Sequence, residues 1–158
     1  SLAGQSDAQL SAYRRRNVGF IFQSYNLIPV LNVAENIALP MSLDNQEGDQ
    51  DYLSELLEIL GLTDRRDYYP PQLSGGQQQR GAIGRALIAK PKLLLADEPT
   101  GNLDSRNSRE IVTLLQNSVR KYNQTLLLIT HDGHVAAHAD RVLHMLDGKL
   151  WGGAEEGV

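Results

Sequence analysis

Three short apolar runs, VGFIF (18–22), LLLA (93–96) and LLLIT (126–130), each hand over directly to polar side chains: Gln23, the pair Asp97 and Glu98, and His131. Near-continuous apolar runs of strand length fit strands buried on both faces, as in a parallel sheet covered by helices. Helical patterns fill the intervals. In YLSELLEILGL (52–62) the leucines at 53, 56, 57 and 60 recur at helical spacing, and Gly61 supplies a left-handed stop. Over 105–122, Ser105 is the expected cap, while Ile111, Leu114, Leu115 and Val119 make an inner face. VLHMLDGKLW (142–151) reads as a hairpin turning at Asp147 and Gly148. Residues from about 30 to 72 carry no strand pattern and are expected to form a helical insert. Strands alternating with helices predict an α/β fold with a largely parallel sheet. The tail GGAEEGV (152–158) is expected to fray.

The size and composition bound the function. With 158 residues, 41% of them hydrophobic, the chain suits one domain with a real core. A net charge of -4 argues against a nucleic-acid binder that works by overall charge. The run Arg14, Arg15, Arg16 reads as a solvated face. The absence of cysteine removes disulfide, thiolate and cysteine–zinc chemistry and fits a reducing cytoplasm. No apolar run reaches membrane-spanning length and no signal-peptide pattern is present. Service to a membrane would therefore run through a partner.

In open parallel sheets ligands gather at the carboxyl ends of the strands, so Gln23, Asp97, Glu98 and His131 form one site hypothesis. LLLADEP (93–99) resembles a Walker B segment, in which Asp97 holds Mg²⁺ through water and Glu98 polarises the attacking water. The plainer alternative is a strand end with two solvated acids. LSGGQ (73–77) has capping-box spacing between Ser74 and Gln77, which accounts for the serine and the glutamine. It leaves Gly75 and Gly76 unexplained unless something approaches the backbone closely. A phosphate at the helix N-terminus would do so.

The order Gln23, LSGGQ, LLLADEP, GNLD (101–104) and TH (130–131) resembles the nucleotide-binding domain of ABC transporters, over almost the whole chain. The wording LSGGQQQR and ALIAKPKLLLADEPTGNLDS is similar to ATP-binding subunits of bacterial lipoprotein-release, macrolide-export and bacitracin-efflux systems. The resemblance implies a P-loop NTPase-like parallel sheet with helices on both faces and a helical subdomain continuing into a signature helix over 74–89. It implies ATP and Mg²⁺ as cofactors, with Asp97 and Gln23 at the metal. Glu98 would be the general base, Gln23 the Q-loop glutamine and His131 the switch histidine. Ser74, Gly75, Gly76 and Gln77 would contact the ATP of an opposing subunit in a head-to-tail dimer, and Asp104 of the D-loop would cross that interface. The implied partners are a second ATP-binding subunit and a transmembrane permease, at the inner face of the membrane. His134, His138 and His144 carry no motif support and read as surface or packing residues.

The pattern departs from the family's in places. No GxxxxGK[ST] phosphate loop occurs, which predicts a fragment lacking the N-terminal lobe and unable by itself to bind ATP tightly or hydrolyse it. In the family's sheet the missing strand lies between the strand ending at His131 and the one near 142–146, so raw edges and an oligomer or exchanged strands are expected. Gly81 and Gly84 stand where relatives carry valine and alanine, each weakening the helix by about 1 kcal/mol. Gly133 stands where proline is common and is expected to loosen the switch loop. Two rival readings remain from the sequence: a soluble ABC ATPase of nucleic-acid or ribosome systems, and a non-enzymatic module lending its LSGGQ to another subunit.

Overall fold

The computed structural model describes residues 4–44 and 49–151. The tail expected to fray, 152–158, lies outside them. Six α-helices and five strands are described: α1 (Asp7–Asn17), β1 (Val18–Phe22), α2 (Val33–Leu43), α3 (Gln50–Ile59), α4 (Gly75–Leu87), β2 (Leu93–Asp97), α5 (Ser105–Lys121), β3 (Thr125–Ile129), α6 (Gly133–Ala136), β4 (His144–Leu146) and β5 (Lys149–Trp151). Short 3₁₀ turns at Thr63–Arg65 and Pro70–Gln72 lead from α3 into α4. None of the described helices is long and apolar enough to cross a membrane.

The three apolar runs form one parallel sheet in the order β1-β2-β3. Pairing runs in rows: Gly19, Leu94 and Leu126; Ile21, Ala96 and Leu128; and, at the carboxyl end, Phe22, Asp97 and Ile129. Because side chains alternate along a strand, the first two rows share one face. That face holds the core. Ile21, Leu94 and Ala96 are at most 1% exposed and join Ile83 and Leu87 of α4, Ile37 of α2, Leu56 and Leu57 of α3, and Ile111 and Leu115 of α5. Gly19 permits the contact with α4, since a Cβ there would stand 2.5 Å from the Ala86 carbonyl oxygen.

The expectation of burial on both faces is corrected. Phe20, Phe22, Leu127 and Ile129, on the opposite face, are 39–58% exposed. The reason is that α2, α3, α4 and α5 all contribute to the single core against the Gly19–Ile21 face. An apolar run alone does not say which of its alternating side chains meets a helix.

Residues 30 to 72 hold α2, α3 and the two 3₁₀ turns, with no strand among the described residues. The α3 leucines at 53, 56, 57 and 60 are all at most 5% exposed, and Gly61 takes a left-handed φ of 63°. The arginine run is more than a solvated face. Arg15 and Arg16 both bind the Asp44 carboxylate, at 2.7 and 2.6 Å, and tie α1 to the end of α2. The hairpin of β4 and β5 forms with both Asp147 and Gly148 at positive φ, as a tight two-residue turn requires. It is not paired with the parallel sheet among the described residues.

Candidate active site

The end row of the sheet sets the site. Phe22, Asp97 and Ile129 lie side by side, so the residues that follow each of them, Gln23, Glu98 and Thr130, leave the sheet together. Glu98 turns sharply, with φ at 46°, a left-handed conformation disfavoured by roughly 1–3 kcal/mol for a side chain of this size. Its amide bonds back to the Ile129 carbonyl at 2.9 Å, which carries the loop across β3.

That turn delivers the Glu98 carboxylate to the next strand end. Its Oε1 accepts the His131 main-chain N–H at 3.0 Å and lies 2.6 Å from His131 Nδ1, while Thr130 Oγ1 donates to Oε2 at 3.4 Å. The bond to Glu98 and then its charge hold the His131 imidazole above the ordinary value of 6.5. Asp97 is exposed at the tip of β2.

Gln23 is also drawn in. Its side-chain Nε2 donates to Asn102 Oδ1 at 3.0 Å, in the turn after Glu98. Beyond Ser24, Tyr25 and Asn26 both have positive φ, at 59° and 52°. Arg85 of α4 holds that strained turn by donating to the Asn26 carbonyl at 2.6 Å and the Tyr25 carbonyl at 3.0 Å. Burial lowers the pKa of this guanidinium.

The LSGGQ segment stands at the start of α4. Ser74 is the cap and both halves of the expected box form: Gln77 N–H donates to Ser74 Oγ at 3.3 Å, and Ser74 N–H donates to Gln77 Oε1 at 2.9 Å. The two glycines have a reason that the sequence did not disclose. A Cβ on Gly75 would lie 2.8 Å from the Tyr25 hydroxyl, and one on Gly76 would lie 2.7 Å from Asn107 Oδ1. With glycine at both places, Tyr25 and Asn107 pack close against this helix start; a Cβ at either would make the tip of that side chain shift. The first-turn N–H groups of a helix still point outward without intrahelical partners.

Asp104 is the cap of α5, and this corrects Ser105 as the cap. Its Oδ1 accepts the main-chain N–H of Arg106 at 3.0 Å and of Asn107 at 2.9 Å, and Asn107 Nδ2 donates to Oδ2 at 2.7 Å. The Asn107 bonds foremost hold its carboxyl below the usual range. Asp104 wins because its side chain reaches the second and third helical amides from an extended backbone, whereas Ser105 is already in the helix. Asn107, bonded to Asp104, also packs close to Gly76.

Asn102, Arg85, Tyr25, Asn107 and Gln79 are the residues that sequence reasoning passed over. Gln79 is fully buried in α4 and donates from Nε2 to the Pro99 carbonyl at 2.7 Å, joining the signature helix to the turn after Glu98. The available signals were a glutamine on the buried side of a helix and an arginine there without an acidic neighbour one turn away. His134, His138 and His144 are exposed; of the three, His134 borders this network, its main-chain N–H donating to Asp132 Oδ1 at 2.8 Å while the Asp132 N–H donates to Thr130 Oγ1 at 3.0 Å.

The chain is similar in sequence and fold to known proteins. A protein-family description for ABC transporters matches residues 3–101. The lipoprotein-releasing system ATP-binding protein LolD of Bordetella avium is 42% identical over 93% of this chain and 65% of its own length. The macrolide export ATP-binding/permease protein MacB of Shigella flexneri is 46% identical over 94% of this chain and 24% of its own. The chain thus spans about 65% of the length of LolD. Among solved structures, the dimeric bacterial ABC transporter cassette MJ0796 superposes with a TM-score of 0.79 at 38% identity, over 91% of this chain and 65% of that one. The same cassette in a post-hydrolysis state, bound to ADP and Pi, also scores 0.79, at 37% identity. The parallel sheet with its helices is accordingly the α/β fold of P-loop NTPase-like cassettes. A family match across well over half of its residues, joined to that shared fold, makes this chain a member of the ABC transporter family.

Proposed function

We propose that the whole protein is the ATP-binding subunit of a bacterial ABC transporter that couples ATP hydrolysis to export or extraction through a membrane-embedded permease. The observation that carries this reading is that Gln23, Glu98 and Thr130 leave three adjacent strand ends together, with Glu98 bonded to His131 and Gln23 bonded to Asn102 in the turn that follows Glu98. Phosphoryl transfer asks for positioning and charge stabilisation more than for a strong base, and a carboxylate oriented by neighbouring donors suits that task.

Within this reading Glu98 accepts the proton of the attacking water. His131 and Thr130 aim its carboxylate, and the left-handed turn at Glu98 brings it off the sheet toward them. Asp97 fits a magnesium ion: its carboxylate is exposed at the strand tip beside Phe22 and Gln23, and Mg²⁺ takes one or two carboxylates and fills its remaining positions with waters and phosphate oxygens. Bound there with Gln23 nearby, the ion would offset charge on the phosphates.

The α4 N-terminus, with Ser74, Gly75, Gly76 and Gln77, offers main-chain donors and a favourable dipole to a phosphate of a second subunit's nucleotide. Asn107 lies beside it, bonded to Asp104. A head-to-tail pair of subunits at the inner face of the membrane follows, with the membrane reached only through the permease. LolD and MacB are named for lipoprotein release and macrolide export, and the present chain is assigned to the same broad type without a cargo.

Residues 1–158 contain no GxxxxGK[ST] loop, so these residues by themselves are expected neither to hold ATP tightly nor to turn it over. The test is MgATP hydrolysis measured side by side for the whole protein and for residues 1–158. Steady turnover by the whole protein alone supports the reading. Turnover by residues 1–158 alone, or by neither, overturns it.

A further inference from the structure

Gln23 is held at two points by one residue. Its Nε2 donates to Asn102 Oδ1 at 3.0 Å, and Asn102 Nδ2 donates back to the Gln23 main-chain carbonyl, also at 3.0 Å. The closed pair locks both the side chain and the backbone at the end of β1. Gly101 leaves the space for it, since a Cβ there would stand 2.6 Å from Gln23 Nε2. The Asn102 end is itself firmly anchored. Gly101 N–H donates to the Glu98 carbonyl, Leu103 N–H donates to the Thr100 carbonyl, both at 3.0 Å, and Thr100 is only 7% exposed. Asn102 therefore belongs mechanically to the Glu98 loop, yet what it grips is the end of another strand.

The chemistry is selective for asparagine. Aspartate keeps the acceptor for Gln23 Nε2 and loses the donor for the Gln23 carbonyl; alanine loses both. We propose that Asn102 is a positioning residue for ATP hydrolysis, coupling Gln23 to the Glu98 loop so that the two sides of the site move as one unit. This rests on the reading that Gln23 and Glu98 serve the same nucleotide. Gln23 is exposed, so without Asn102 its side chain would sample several rotamers and occupy the working one for a fraction of the time. A loss of that kind acts on the catalytic step more than on nucleotide affinity.

The experiment is a double-mutant cycle on MgATP hydrolysis by the whole protein in complex with its membrane partner. N102A is expected to lower kcat about tenfold with KM for ATP held within about twofold, and N102D to fall between N102A and the parent. Q23A is expected to be slow, and Q23A/N102A no slower than Q23A, because Asn102 acts through Gln23. In glutamine-labelled whole protein, the Gln23 side-chain amide resonances should shift and exchange faster with water in N102A. A kcat for N102A equal to the parent, a fully additive double variant, or an unmoved Gln23 amide signal each overturns the inference. Should Q23A itself turn over like the parent, the assigned role of Gln23 falls, and this inference with it. A slow Q23A beside a normal N102A removes the inference alone. Folding is checked through N102D, which keeps the shape of the side chain.

Discussion

Nδ1 of His131 lies 2.6 Å from Glu98 Oε1, and the same oxygen accepts the His131 main-chain N–H, so one carboxylate oxygen holds both ends of a single residue. The pair joins the tip of β2 to the tip of β3. The Glu98 bond and charge, with a smaller contribution from Asp132, raise the imidazole pKa above 6.5. A group whose folded-state pKa is raised contributes stability that is complete below its unfolded value and is lost as pH climbs through the folded value. The window here starts near pH 6.5 and extends upward. Proton-detected titration of His131 should show a midpoint above that of an unstructured histidine, and Glu98→Gln should bring it back down. A midpoint at or below 6.5 in the parent protein would contradict the pairing.

Glu98→Gln in the whole protein keeps the side chain's size and removes its capacity to take a proton. Turnover is expected to fall by about 10²–10⁴-fold, the range associated with a general base. ATP-dependent pairing of subunits should survive, since the glycine-flanked helix tip is untouched. Turnover within a few-fold of the parent would take Glu98 out of the base role.

The two unusual glycines of α4 should respond oppositely to alanine. At Gly84 a Cβ would lie 2.6 Å from Leu60 Cδ1 and 2.9 Å from Ile37 Cδ1, both fully buried, so Gly84→Ala overpacks the core and should destabilise by about 1–3 kcal/mol. At Gly81 the nearest atom is Leu27 Cδ1 at 3.5 Å, an ordinary contact. Gly81→Ala should stabilise by about 0.5–1 kcal/mol through helix propensity. Urea midpoints of the two variants, measured together, decide the matter; shifts of the same sign would show the packing of α4 to be wrong.

Gln79 donates its amide to the Pro99 carbonyl in a site with no exposure, and its Oε1 has no partner among the described residues. Gln79→Ala leaves a cavity and an unpaired carbonyl, and should cost about 2–4 kcal/mol. Calorimetry or denaturant unfolding measures it directly. A change below about 0.5 kcal/mol, the level of an ordinary surface substitution, would mean that the link between α4 and the Glu98 turn is not made.

Much of this architecture was legible without coordinates, and for local reasons. Ser74 and Gln77 form their box, Gly61 stops α3 and Asp147 with Gly148 turns the hairpin because each depends on backbone geometry within a few residues. The strand ends were legible too, since an apolar run giving way to a polar residue marks where a buried strand meets solvent. The cap of α5 was misplaced by one position: Asp104 and Ser105 are both good caps, and only the backbone at Asp104 settles which is extended. The one-sided sheet was not legible at all, because Phe20 and Ile21 look alike in sequence while one is 40% exposed and the other 1%.

The amino-acid order alone established which segments become strands and helices and which polar residues emerge at strand ends, since periodicity, caps and turns act over a few residues. Tertiary packing decided what those residues touch: that Glu98 turns toward His131, that Asn102 seizes Gln23 across 79 positions of chain, and that Gly75 and Gly76 make room for Tyr25 and Asn107. Such contacts depend on strand register and helix placement, which are set by burying one sheet face against several helices at once. No short window of sequence contains that information.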